Sequence, residues 1–144
     1  MKDRQSPPGV LLVGLSDDEG QIFGSFLRRR GFMVEAFAEA ELALAAAIDT
    51  PPAAILARHV QRAPMDGIEL TRRVRAEQAI RDVAVVVITT RIEAAYAAAA
   101  VDAGCDGFLL LPASPELVAY EVERGIASRA ARANKRSRTP ATTG

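Results

Sequence analysis

Short apolar runs alternate with longer amphipathic segments along the chain. The runs at 10–13, 53–57 and 84–88 are almost entirely apolar, as in strands that are buried on both faces of a parallel sheet. Two weaker runs, at 33–36 and 108–111, bring the number of predicted strands to five. Because a helical pattern follows each strand, we predict an α/β domain with a doubly wound parallel sheet between two layers of helices.

The predicted helices have recognisable starts and stops. Ser16 and Glu19 have the spacing of a capping box, and Gly31 is a natural stop for the helix that Ser16 opens. The other helical patterns lie at 39–48, 67–78 and 93–103, and a last one follows Ser114 and Pro115. No internal repeat interrupts this order, so the pattern predicts one continuous domain.

Length and composition narrow the class of protein. The chain has 144 residues, enough for one domain, and no apolar run approaches the roughly 20 residues that span a bilayer. Cys105 is the only cysteine, which excludes an internal disulfide and a cysteine-based metal cluster. The polar segment 1–8 lacks the apolar stretch of a secretion signal, and we expect it to be flexible. These features predict a cytoplasmic protein whose folded domain spans 9–129.

The charges are unevenly distributed although the formal net charge is zero. From Arg124 onward there are six basic residues and no acidic one, so the preceding part of the chain is acidic. We expect the small and polar segment 130–144 to be a basic, disordered tail. Neither a membrane nor a nucleic acid is an expected partner of the acidic domain, although the tail could contact polyanions.

Functional sites in a sheet of this kind gather at the carboxyl ends of the strands. The residue pairs at those ends are Gly14-Leu15, Arg58-His59, Thr89-Thr90 and Leu111-Pro112. A Gly-x-Gly-x-x-Gly sequence does not follow the first strand, and no Gly-Lys-Ser/Thr phosphate loop is present. The sequence therefore gives little support for a nucleotide-dependent enzyme.

Four motifs in the chain resemble those of the bacterial response-regulator receiver domain. In order they are Arg29-Arg30-Gly31-Phe32, Pro64-Met65-Asp66-Gly67-Ile68-Glu69-Leu70, Ile88-Thr89, and Ala103-Gly104-Cys105-Asp106-Gly107-Phe108 with Leu111-Pro112. The resemblance covers about residues 10–127. It implies a flavodoxin-like three-layer sandwich with five parallel strands in the order 2-1-3-4-5. It also implies a signalling module of a bacterial two-component system, and not an enzyme.

The chemistry of that family needs an acidic pair that helps to hold Mg²⁺, an acceptor aspartate, a hydroxyl and a lysine. Alignment on the motifs places the acidic pair at Gly14 and Leu15, the acceptor at His59, the hydroxyl at Thr89 and the lysine at Leu111. Only Thr89 matches. Glycine and leucine offer no side-chain oxygen to a hard cation, and leucine cannot balance a phosphoryl dianion. We therefore expect no metal or other cofactor, lost Mg²⁺ binding, and no aspartyl phosphorylation.

Alternatives to this degenerate pocket remain open at the level of sequence. Asp17 and Asp18 could be a displaced acidic pair, although that reading would shorten the first helix and waste its capping box. His59 could accept a phosphoryl group, sense pH or simply fill a loop. A phosphorelay response regulator with non-standard chemistry is therefore the alternative function.

The fourth predicted helix, 93–103, points to protein interaction. It is rich in alanine, and a surface helix normally carries a charged face, whereas this one has almost none before Asp102. The resemblance places this helix, the fifth strand and the last helix at the family's output and dimerisation surface, with Phe108 as the switch aromatic; we group Tyr96 with it. We expect a protein partner or a second copy of the chain to bind there, unless compositional bias alone explains the alanines.

Overall fold

The structure, a computed structural model, describes residues 7–59, 65–91 and 93–138, with side chains to residue 136. Within these residues, strands and helices alternate as β1 (Gly9–Val13), α1 (Asp17–Arg29), β2 (Met33–Phe37), α2 (Ala40–Asp49), β3 (Ala54–Arg58), α3 (Gly67–Ala76), β4 (Ala84–Thr89), α4 (Ala94–Ala103), β5 (Gly107–Leu110) and α5 (Pro115–Arg138). No helix among the described residues is both long and apolar enough to cross a membrane.

The five strands form one parallel sheet in the order β2-β1-β3-β4-β5. Leu12 of β1 lies opposite Leu56 of β3, which in turn lies opposite Val86 of β4. This arrangement confirms the predicted α/β architecture and the strand order that the resemblance implied. The carboxyl ends of β1, β3 and β4 consequently lie at the same edge of the sheet. The chain runs from β1 to β2 on one side and continues with β3 on the other side of β1, and ligands of such sheets bind at this point.

Two hydrophobic layers cover the sheet, because alternate residues of each strand face opposite sides. One layer, which includes Leu12, Leu56 and Phe23, packs against α1 and α5. The other layer, which includes Ile55 and Leu70, packs against α2 and α3. The unbroken apolar runs of the sequence thus correspond to strands that are buried on both faces.

The start of α1 agrees with the capping box. The Ser16 hydroxyl oxygen accepts from the backbone N–H of Glu19 at 3.1 Å, and the Glu19 carboxylate accepts from the backbone N–H of Ser16 at 3.0 Å. Gly31, with φ of 97°, follows the helix in the left-handed region that glycine adopts readily. These contacts fix Asp17 and Asp18 in the first turn of α1.

Both ends of the domain extend further than the sequence predicts. The carbonyl of Pro8 accepts from the backbone N–H of Met33 at 2.9 Å, so the flexible segment predicted for 1–8 is wrong at its last residue. Residues 1–6 lie outside the described part of the chain. At the other end α5 continues to Arg138, so a disordered tail from residue 130 is wrong for 130–138, and 139–144 lie outside the described residues.

Contacts that are distant in sequence explain the length of α5. Arg129 is buried and its Nε donates to the Asp106 carboxylate at 2.7 Å. Arg136 forms an ion pair with Asp82. The alanines between them favour helix, so the segment stays helical instead of fraying. Arg129 and Arg136, which the sequence places at or near the predicted tail, are therefore paired with carboxylates of the same domain.

Candidate functional site

A cavity of about 240 Å³ lies at the carboxyl edge of the sheet. Its lining residues are Gly14, Arg58, His59, Thr89, Thr90, Arg91 and Tyr96. The ends of β1, β3 and β4 and the start of α4 supply them, as expected from the fold. The cavity gathers three of the five predicted pocket residues, Gly14, His59 and Thr89, whereas Leu15 and Leu111 do not line it.

Gly14 turns the chain at the end of β1. Its φ is 74°, and its backbone N–H donates to the carbonyl of Phe37 at 2.9 Å. The next side chain, Leu15, packs against the hydrophobic layer beneath α1 and α5. Neither position where the family carries its acidic pair therefore offers a side-chain oxygen to the cavity.

Arg58 forms an ion pair above Gly14 that the sequence does not reveal. Its Nη1 lies 2.7 Å from each carboxylate oxygen of Glu19, and both side chains are 23% exposed. A Cβ placed on Gly14 would stand 3.8 Å from the Cβ of Arg58, so the two positions are immediate neighbours. The Glu19 carboxylate thus accepts both from the backbone N–H of Ser16 at the start of α1 and from the guanidinium of Arg58 at the end of β3.

His59, which the alignment of the motifs places at the acceptor position, is buried. Its backbone N–H donates to the carbonyl of Ile88 at 2.8 Å, and its ring meets Tyr96 edge-on with centroids 4.9 Å apart. Neither ring nitrogen has a hydrogen-bond partner within the described part of the chain. Nδ1 lies 3.8 Å from Asp66 Oδ1, which is beyond hydrogen-bond distance, and this oxygen already accepts from the N–H of Glu69 at the start of α3.

Thr89 supplies a hydroxyl at the end of β4. Its side chain is buried, and its Oγ1 accepts from the backbone N–H of Arg91 at 3.2 Å, which leaves the hydroxyl proton to donate elsewhere. Arg91 at the rim pairs with Glu93, with Nη2 and Oε2 2.7 Å apart. The hydroxyl that matches the family is therefore present and lines the cavity.

Leu111, at the family's lysine position, is 7% exposed and belongs to the layer beneath α1 and α5. It contributes neither charge nor surface to the cavity. The bond between Leu111 and Pro112 is cis.

The residues of this edge do not fit Mg²⁺, the metal that the family implies. Asp17 and Asp18 are exposed on α1 and do not line the cavity, and the Glu19 carboxylate is already paired with a guanidinium. Among the described residues, no three His, Cys, Asp or Glu side chains are grouped so that they could hold a metal ion. A cation bound here would meet Arg58 at close range, and like charges repel.

A second cavity, of about 320 Å³, adjoins the first on the side of α2 and α3. It shares Gly14 and Arg58 with the first cavity and adds Glu39, Glu41 and Asp66 to its lining. Arg58 therefore lies between a region rich in carboxylates and a region lined by hydroxyls and basic side chains.

Phe108 and Tyr96, the residues predicted for protein interaction, have different surroundings in the structure. Phe108 is partly buried and packs against Ile68, Ala100 and Ala103 beneath α4. Tyr96 lines the cavity. Four other apolar side chains of α4, β5 and α5 are exposed, and we call this surface the α4–β5–α5 face: Val101, Leu110, Leu117 and Tyr120.

Cys105 is partly buried against the apolar side chains beneath α3 and α4. Burial raises the pKa of its thiol, and the neighbouring Asp106 carboxylate raises it further. These surroundings favour the neutral thiol.

Comparison with known proteins agrees with the fold. The chemotaxis response regulator CheY4 of Vibrio cholerae is 25% identical, with a TM-score of 0.73 over 82% of this chain and 98% of its own. A LuxR-family two-component response regulator from Aurantimonas is 25% identical, with a TM-score of 0.74 over 86% of this chain and 88% of its own.

The receiver domain of a sensor histidine kinase from Pseudomonas aeruginosa, crystallised with magnesium in its active-site cleft, is 24% identical, with a TM-score of 0.73 over 84% of this chain and 98% of its own. No curated protein matches this chain significantly. The sequence family described as the response regulator receiver domain matches residues 10–123. The chain therefore belongs to the receiver domains of two-component signalling.

Proposed function

We propose that this receiver domain signals without aspartyl phosphorylation, by binding another protein chain through the α4–β5–α5 face. The ion pair between Arg58 and Glu19 carries the first half of the proposal. It puts a fixed guanidinium beside Gly14, at the edge where the family's chemistry needs a divalent cation held by carboxylates. Phosphoryl transfer depends on such charge neutralisation and positioning, which this edge does not supply.

The burial of His59 argues against the alternative of non-standard phosphorylation. Its two ring nitrogens are shielded from solvent, so an in-line approach by a phosphoryl donor would require the ring to move. Asp17 and Asp18 are accessible but stand on the outer surface of α1, away from Thr89. A carboxylate without metal or lysine nearby is a poor phosphoryl acceptor.

The exposed apolar side chains support the second half of the proposal. Leu117 and Tyr120 are three residues apart on α5 and therefore lie on the same side of that helix. Val101 on α4 and Leu110 on the edge strand β5 are also exposed, and Val101 is 70% exposed. Exposed apolar groups on consecutive elements of a small domain are typical of an interaction surface.

Exposure to a phosphoryl donor tests the proposal directly. The protein is incubated with Mg²⁺ and acetyl phosphate and its intact mass is measured at neutral pH, so that an acid-labile phosphohistidine survives. We expect no added phosphoryl mass and, in a parallel titration with beryllofluoride, no change in the amide signals of Gly14, His59 and Thr89 that requires Mg²⁺. A receiver domain with an intact acidic pair, acceptor aspartate and lysine serves as the positive control.

Stoichiometric phosphorylation would contradict the proposal, and site mapping would then identify the acceptor. Loss of the added mass in His59→Gln would assign it to the imidazole. Loss in Asp17→Asn or Asp18→Asn would assign it to the displaced carboxylates and support the alternative function.

A further inference from the structure

Several hydrogen-bond donors line the cavity at the carboxyl edge. Arg58 uses only Nη1 for Glu19, so its Nε and Nη2 donate to no group within the described part of the chain. Thr89 retains its hydroxyl proton, and Thr90 adds an exposed hydroxyl at the rim. A cavity with spare donors favours a ligand that is rich in acceptors.

His59 gives an independent indication of a ligand. It is 8% exposed, lines the cavity, and has two ring nitrogens without a hydrogen-bond partner in the described chain. Buried polar groups are nearly always satisfied, so a partner that binds in the cavity would explain a side chain that is otherwise costly.

We propose that this cavity binds a small tetrahedral oxyanion of the phosphate or phosphomonoester class, without a metal ion and without a covalent bond. Arg58 offers a planar donor pair suited to two oxygens of such an anion, and Thr89 and His59 supply single donors to the others. A volume of about 240 Å³ lies below the usual range for larger organic ligands, which suits a compact anion. This inference goes beyond the proposed function and does not depend on it.

The test is a titration with inorganic phosphate in the presence of EDTA, at constant ionic strength kept with chloride, while amide signals are recorded. We expect saturable shifts at Gly14, His59 and Thr89 with a dissociation constant on the order of millimolar. Glycerol phosphate in a second arm distinguishes a free anion from the phosphate group of an ester. Stronger binding of the ester would assign the cavity to phosphomonoesters, and stronger binding of inorganic phosphate would assign it to the free anion.

Substitutions distinguish binding in this cavity from a general attraction of phosphate to basic side chains on the surface. We expect Arg58→Gln to weaken phosphate binding by about tenfold or more. Arg136→Gln is the matched control, because it also removes an arginine that is paired with a carboxylate, but outside this cavity; it should leave binding unchanged. Thr89→Val, which keeps the shape of the side chain, should weaken binding even if Arg58→Gln fails to fold.

Glu19→Gln gives a change of opposite sign. Glutamine preserves the capping box but removes the charge that competes for Arg58, so phosphate should bind several-fold more tightly. Absence of saturable binding to the native protein would overturn the inference. So would a requirement for Mg²⁺, or equal losses in Arg58→Gln and Arg136→Gln.

Discussion

At the scale of single residues, His59 is buried, and neither of its ring nitrogens has a hydrogen-bond partner among the described residues. A buried polar group without a partner costs about 1–3 kcal/mol, whereas an apolar group of similar shape costs nothing of this kind. Phenylalanine would keep an aromatic ring against Tyr96 and remove both nitrogens. We therefore expect His59→Phe to raise the free energy of unfolding by about 1 kcal/mol in urea denaturation.

His59→Ala is the control for this prediction. It also removes both nitrogens, but it leaves a void beside Tyr96 and should lower the free energy of unfolding. A loss of stability in His59→Phe as large as that in His59→Ala would show that the imidazole nitrogens make hydrogen bonds that stabilise the fold.

Cys105 is expected to react slowly because alkylation requires the thiolate. Burial and the nearby Asp106 carboxylate raise the pKa of the thiol, so the thiolate fraction at neutral pH is smaller than for a free cysteine. The rate of alkylation by iodoacetamide should therefore rise with pH along a curve displaced to higher pH than that of a small thiol. The same measurement on the urea-unfolded chain is the control, and coincident curves would refute the prediction.

The contrast between Leu111 and Arg58 shows what sequence predicts about single residues. The motifs placed Gly14, His59 and Thr89 at one edge, and all three line one cavity. Leu111 was assigned to the same pocket by its position, but an apolar side chain packs into the core when it can. The partner of Arg58 could not be predicted, because a long flexible side chain can reach several carboxylates. A charged residue at the end of an apolar strand nevertheless indicated that Arg58 needs a partner of opposite charge.

At the scale of elements, a buried ion cluster joins α3, α5 and the segment before β5. The Asp106 carboxylate accepts from Arg75 Nη2 at 2.8 Å, from Arg129 Nε at 2.7 Å and from the backbone N–H of Val85 at 2.9 Å. The carbonyl of Gly104 accepts from both guanidinium groups at 3.0 Å. Burial lowers the pKa of Arg75, and the positive charge of Arg129 lowers it further, so the shared carboxylate compensates two desolvated cations.

Removal of that carboxylate charge should destabilise the fold strongly. We expect Asp106→Asn to lower the free energy of unfolding by about 3 kcal/mol, because it leaves two buried guanidinium groups without a counter-charge. Asp82→Asn is the matched control, since it removes the partner of one exposed arginine, Arg136, and should cost less than about 1 kcal/mol. Equal effects in urea denaturation would show that the cluster around Asp106 adds nothing beyond a surface pair.

The elements also show where sequence patterns stop being informative. Strand limits follow from apolar runs, because burial on both faces leaves little choice of register; all five predicted strands agree with the structure to within one residue at each end. The end of α5 does not follow from its own sequence. It depends on Asp106 and Asp82, which are distant along the chain and which give the basic residues of the last turns their partners.

At the scale of the whole molecule, fold and chemistry are specified by different residues. The strand order and the two hydrophobic layers depend on patterns that many sequences satisfy, and relatives at 24–25% identity share them. The site depends on a few side chains at one edge, and their replacement leaves the layers intact. The receiver fold therefore does not determine by itself what this domain binds, and the function must be sought in the residues of the edge and of the exposed surface.

The last prediction concerns association of the whole domain. If a second copy covers the α4–β5–α5 face, sedimentation should show a mass that rises with protein concentration towards that of a dimer. Tyr120→Glu would place a charge where apolar groups meet, and should shift the dissociation constant upward by about tenfold or more. Leu42→Glu, at an equally exposed apolar residue of α2, should leave association unchanged. A concentration-independent monomer would exclude a second copy and assign this face to a different protein, whereas equal weakening by both variants would place the contact elsewhere.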